Sequence, residues 1–362
     1  MQRSTAPRLY NLDLLRLVSA LTVLCFHYGF RMAISGEGGG VGFPELAPAA
    51  MWFDAGLMVF FVISGYVIAL SAEGRSAFDF AVGRFARLWP TFVVSATVTA
   101  LVLLAWPVPG IPEPTLPQWL AQFVMISRLA GQPFMDGAYW TIAYELIFYG
   151  WVFLLLAAGW FHDGWRIAVL AWLAISAGNA FFLQSEAVTK LFITEYSGFF
   201  AFGLVLFHAR QHFDLRAASL LALALAWAVT ATYLVEPRMA EQYGVHRASW
   251  GVGLTGLVAT GTVTLAALMP ALPIRPTLAY GLGALTYPLY LLHQHIGYAV
   301  FTRFATPQNR WLIAVLLVAA LVLAAWLIAT LVEPPARRAI VAAARRLKAP
   351  TRRRLHQAKG NA

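Results

Sequence analysis

The sequence predicts an all-α integral membrane protein with about ten transmembrane helices and both termini in the cytoplasm. Three observations predict it. The 362-residue chain is 60% hydrophobic and only 12% charged, against roughly 25% charged and 45–50% apolar in a soluble domain. One apolar run after another reaches the ~20 residues that a bilayer core demands of a helix. Lys and Arg are shared unequally between the segments joining those runs, and that bias sets orientation. No stretch is polar enough for a soluble domain. The expected organisation is a membrane domain over 1–335 and a basic cytoplasmic tail over 336–362.

The first span, 9–29, contains Asp13, Arg16 and His27. It is longer than a secretory core and interrupted by charge, so it reads as an uncleaved helix. The outer segment 30–50 contains Gly38-Gly39-Gly40 and reads as a mobile loop. The second span, 51–72, carries Phe61-Val-Ile-Ser-Gly-Tyr66. A hydroxyl at Ser64 is expected to bond the preceding turn, and the adjacent Gly65 lets a neighbouring helix approach. Next, Phe78–Trp89 mixes apolar residues with Arg84 and Arg87, which predicts an amphipathic helix at the cytoplasmic surface before a span at 90–106. The outer segment 107–139 opens rich in proline and turns apolar at Trp119–Ile126, which predicts an interfacial helix over the outer mouth. The remaining spans are 140–160, 166–183, 191–208, 217–235, 248–269, 278–301 and 311–332. The shortest, 90–106, and the run at 191–208 carry the weakest signals; a re-entrant path for either one alone would move the C terminus to the other side.

With the N terminus inside, cytoplasmic segments hold 18 of the 26 Lys and Arg and outer segments hold 7, with Arg16 inside a span. The inverted topology would reverse the positive-inside bias. Net charge is +10, and nine of the basic residues follow Glu333. A basic tail directly after an apolar span faces lipid headgroups, so membrane lipids rather than nucleic acid are the expected partner. The single cysteine, Cys25, excludes an intramolecular disulfide and a Cys-rich zinc site. No internal repeat of the transporter kind is visible.

Charged groups within a span cost several kcal/mol unless paired or hydrated, so each needs a reason. Arg16 and His27 are eleven residues apart, about 20° out of register and ~16.5 Å apart along a helix axis. One face therefore carries a cation toward the inner side and an imidazole toward the outer side. Alternatively, Asp13 and Arg16 form a local i, i+3 pair and His27 simply reaches outer water. Glu145, in Trp140-Thr-Ile-Ala-Tyr-Glu145, lies a turn or so inside the fourth span. It either snorkels to the outer surface or sits at the depth of His27, where a carboxylate would raise the imidazole's basicity and suit a general base. Arg84 and Arg87 are one turn apart, in lipid contact or as a phosphate clamp. His293 and His295 point in different directions on a helix, so no metal site is expected.

These motifs, in order, resemble the acyltransferase 3 family of membrane O-acyltransferases. The resemblance runs over about residues 9–337. It rests on Asp13…Arg16-x10-His27, Phe61-Val-Ile-Ser-Gly-Tyr66, Arg84-Phe-Ala-Arg87-Leu-Trp-Pro90, Trp140-Thr-Ile-Ala-Tyr-Glu145, Tyr287-x-Leu-Tyr-Leu-Leu-His293 and Glu333-Pro. It implies ten helices around a central cavity, in the plasma membrane (the inner membrane of a bacterium). It also implies transfer of an acyl group, commonly acetyl, from cytoplasmic acyl-CoA to a hydroxyl of a carbohydrate or lipid-linked glycan. Acyl-CoA would be a co-substrate, with no tightly bound cofactor. The resemblance places the base on His27, with Arg16 on the same helix, and the coenzyme phosphates on Arg84 and Arg87. Glu145 would hold the imidazole, as the third member of a triad does; Asp13, Ser64, Trp140, Tyr287 and His293 are candidate supporting residues. The chain departs from the family pattern at Leu14, where Gly is common, and at Leu146, where a second acid is common. It also lacks a third basic residue beside Arg84. These departures leave the acceptor open. A transporter or flippase lined by the same polar residues is the rival reading.

Overall fold

The computed structural model describes residues 10–360, and side chains for 10–347. Arg3 and Arg8, and the tail side chains from Lys348 onward, lie outside the described residues. All regular structure within them is helical. In chain order the long helices are α1 (Tyr10–Ser35), α2 (Ala55–Ala72), α3 (Ala77–Ala105), α4 (Trp140–Ala157) and α5 (Phe161–Gly178). They are followed by α6 (Ser197–Gln211), α7 (Leu215–Tyr243), α8 (Ser249–Leu268), α9 (Pro276–Phe304), α10 (Arg310–Leu327) and α11 (Glu333–Gly360).

Nine helical segments among the described residues are long and apolar enough to cross a membrane. They contain α1 to α8 and the α10–α11 run. The one predicted span not among them, 278–301, is α9, which has 29 residues but is more polar, with Thr286, Tyr287, His293, Gln294 and His295 along it. It packs against α1, α3 and α10, and Thr286, His293 and Gln294 are buried. Neighbouring helices, rather than lipid, surround its polar groups.

The tightest pair is α2 with α6. A Cβ on Gly203 would lie 1.9 Å from the Val62 carbonyl oxygen, and one on Gly65 would lie 2.0 Å from that of Phe200. Backbone thus meets backbone on both sides, the close approach that small residues permit between membrane helices. Ser64 does not bond its own preceding turn as expected; its hydroxyl donates to Glu145 at 2.8 Å.

Three further expectations are corrected. Phe78–Trp89 is no separate surface helix: α3 is one helix from a Ser76 cap to Ala105, with Pro90 inside it. Proline removes one N–H and crowds the turn before it, but neighbouring helices hold such an interruption in a membrane span. The 30–50 segment is packed rather than loose. Gly39 (φ +63°) lets Thr302 Cα come within 3.0 Å of where a Cβ would be, Thr302 donates to the Glu37 carbonyl at 3.2 Å, and Phe43 stacks edge-on against Phe301 and Trp311.

The third correction has the largest effect. Leu116–Val124 does not lie across a mouth; it descends along α3. The Trp119 indole donates to Thr97 at 2.9 Å, and Trp89 donates to the Phe123 carbonyl at 2.9 Å, two turns further in. The irregular backbone that returns is satisfied by glutamines: Gln118 donates to the Phe134 carbonyl, Gln122 donates to Pro133, and Gln122 accepts from Met135 N–H. Non-helical chain at membrane depth is tolerated only when buried and bonded in this way. In consequence α4 starts inside the bundle. Asp136, just before it, accepts at 2.8 Å from the His295 backbone N–H, nine residues inside the end of α9.

Candidate functional site

A cavity of about 450 Å³ opens at the end of the bundle that carries the start of α1 and of α11. Ligand pockets commonly fall in this range. Because α1, α3 and α9 enter at that end, their first halves supply most of the wall: Asp13 and Arg16, then Arg84 and Arg87, then Tyr287 and Tyr290. Ser64 of α2, Glu145 and Tyr149 of α4, and Arg337 of α11 complete the polar lining. Four arginines face two carboxylates.

Their partners differ. Arg16 pairs with Asp13 at 3.6 Å, the local i, i+3 pair, while still lining the cavity. Arg87 is ion-paired and hydrogen-bonded to Glu333, which is 5% exposed, so it ties α3 to the start of α11. Arg84 makes no hydrogen bond or ion pair with any described residue; it faces Tyr149 and Glu145. Of the two predicted clamp arginines, only Arg84 is therefore uncommitted. Glu145 accepts from Ser64 and from the Tyr149 hydroxyl. Tyr287 donates weakly, at 3.4 Å, to the Leu88 carbonyl. Trp140 stays outside the cavity, its ring 5.6 Å from Tyr196 and 6.4 Å from Phe61.

The histidines lie beyond the cavity. His27 is the first residue of a π-helical turn, His27–Arg31. Its Nδ1 is 3.0 Å from the Tyr298 hydroxyl, and its ring packs edge-on at 4.9 Å against His293. Tyr28 donates to the His293 carbonyl, and Gly297 leaves room for the Tyr28 ring. His293 Nδ1 donates to the Tyr290 carbonyl at 2.6 Å; its buried Nε2 has no partner among the described residues. A neutral imidazole protonated at Nδ1 carries its lone pair on Nε2. Between the two regions stands Tyr290. Its hydroxyl bonds Thr141 at 2.9 Å, and its ring packs 5.6 Å from Phe60 and 5.4 Å from His293.

The expected His27–Glu145 neighbourhood is not formed. Thr141 is level with Tyr290, and Glu145 is four residues, about 6 Å, further from the histidines. The cause is the descent of 107–139, which starts α4 deep. The carboxylate facing His293 is that of Asp136, held by the N–H groups of Ala138 and His295. The sequence reading also passed over Tyr298, Arg31 and Arg337. Asp136 carries one legible signal, an acid directly before an apolar run at the N-cap position; Tyr298 lies five residues beyond His293 within an apolar helix and carries none.

Chemically, the cavity carries an excess of positive charge, and past its inner wall is a pair of imidazoles whose Nδ1 atoms are both engaged, to Tyr298 and to the Tyr290 carbonyl. A family model described as an acyltransferase domain matches residues 9–330. No match was found among curated proteins or among solved structures.

Proposed function

Starting from the fact that the chain belongs to the acyltransferase 3 family, we propose that it moves an acyl group, acetyl in the simplest case, from cytoplasmic acyl-CoA to a hydroxyl of a carbohydrate or lipid-linked glycan at the opposite membrane face. The observation that carries this reading is a cavity lined by four arginines that ends at Tyr290 against His293. The basic end faces the cytoplasm, as the 18-to-7 distribution of Lys and Arg supports. The donor's phosphates meet Arg84 and Arg16, and the thioester points toward Tyr290. Displacement of the Tyr290–Phe60 contact admits it to the histidines.

There His27 acts as general base. Its Nδ1–H donates to Tyr298, which leaves the lone pair on Nε2. Nε2 takes the acceptor's proton as the hydroxyl oxygen bonds the thioester carbonyl. The carbon–sulfur bond then breaks, and the imidazolium returns the proton to the departing thiolate. Ester and free thiol form one for one. Glu145, fixed by Ser64 and Tyr149, faces Arg84 rather than His27.

The test uses purified protein in detergent with labelled acetyl-CoA and hydroxyl acceptors. Saturable acetyl-CoA binding that weakens in Arg84→Ala, together with labelled ester and stoichiometric thiol, is expected. A wild-type protein that binds no acetyl-CoA sinks the reading.

A further inference from the structure

A second groove, of about 480 Å³, adjoins the cavity and shares Tyr280, Ala284 and Arg337 with it. Its far wall is α11, which turns Arg337, Arg338, Val341 and Arg345 toward it. The spacing i, i+1, i+4, i+8 keeps these on one side of a helix. Arg337 and Arg345 stand about 12 Å apart along the axis. None of the three arginines makes a hydrogen bond or ion pair with another described side chain, and all three are exposed. The groove's one carboxylate, Glu333, is already taken by Arg87. A long positive groove without counter-charge, opening into a chamber that ends near the reacting groups, is shaped for an elongated polyanion with a narrow tail.

We infer that this groove is a subsite for the phosphorylated nucleotide end of the donor, with Arg338 and Arg345 contacting its phosphates and Arg337 standing at the junction where the narrow arm enters the cavity. The inference rests on the proposed acyl-CoA reading. It explains how a chain with one uncommitted arginine in the Arg84–Arg87 turn holds a ligand with phosphates at two separate places: the missing cations come from the C-terminal helix. Guanidinium forks bind phosphate bidentately.

The same chemistry would suit an anionic lipid headgroup, so the test separates the two. Binding of coenzyme A and of adenosine 3′,5′-bisphosphate is measured on the full chain in nanodiscs of phosphatidylcholine alone and with phosphatidylglycerol. Arg338→Ala/Arg345→Ala is expected to weaken both ligands at least tenfold in both lipids, to raise KM for the acyl donor more than it lowers kcat, and to be partly rescued by Arg338→Lys/Arg345→Lys. Wild-type affinities in the double alanine variant would overturn the subsite while leaving the acyl-CoA reading standing. An effect confined to phosphatidylglycerol discs would assign the arginines to headgroups and overturn it equally. Failure of the wild type to bind coenzyme A would remove the underlying reading itself.

Discussion

At His27 the helix of α1 widens into a π turn, a local geometry that recurs at functional sites. The wider turn lets two consecutive side chains engage α9: Tyr28 bonds the His293 carbonyl while His27 meets the Tyr298 hydroxyl. His27→Ala is expected to lower transfer by about 10²–10⁴, the usual loss of a positioned base. Acyl-CoA binding should persist, because His27 does not line the arginine-rich cavity. Near-normal turnover in that variant would move the role to His293. Tyr298→Phe keeps the ring and removes one hydrogen bond to a group that becomes charged, an interaction of about 1.5–3 kcal/mol. The expected result is a fall in kcat of roughly ten- to a hundredfold with donor affinity kept. Arg16 and His27 stood out in the sequence because a charge or imidazole inside an apolar run is costly. Asp136 did not, because an acid in a proline-rich connection looks like any turn residue.

At the level of elements, the Arg87–Glu333 pair fastens α3 to the base of α11. Removing one partner of a buried pair typically costs about 3–5 kcal/mol. The lower end applies here, because the Arg87 side chain is 27% exposed while Glu333 is 5%. Arg87→Ala should therefore lower thermal stability in detergent, whereas Arg84→Ala should weaken donor binding with little effect on melting. Equal melting of the two variants would contradict that division. The α2–α6 seam offers a second check. Gly203→Val places a side chain where the Val62 carbonyl already sits, so loss of folded, monodisperse protein is expected, and normal yield would contradict the seam. The Ser-Gly dipeptide made this contact legible in advance, since small residues mark helix crossings. The descent of 107–139 was not legible. Its proline content reads as surface loop, and the glutamines that satisfy its returning backbone acquire meaning only once Pro133, Phe134 and Met135 lie beside them. That unreadable descent is also why Glu145 was assigned to the wrong neighbours.

Across the whole molecule, hydropathy made the helical bundle legible, including the more polar α9, while the ends of α1, α3, α6 and α7 depart from the expected spans by several residues. Orientation has a direct test. A reporter active only outside the cytoplasm should be silent when fused after Ala362 and active when inserted at Gly110, an open turn position with φ +81°. Activity at the C terminus would reverse the assignment of the two ends. One consequence of the wall at Tyr290 is electrical. With water in the chamber from its open end, the membrane voltage falls over the packed region beyond it, which begins at Tyr290, Phe60 and Thr141 and includes the buried histidine pair. A charge crossing that region would do work of about 2.3 kcal/mol per 100 mV, so under the proposed transfer it serves as an insulator, passing a neutral acyl group while ions are held back. Phe60→Ala combined with Tyr290→Ala should then leak protons through liposomes under an applied potential, where the intact protein holds the gradient.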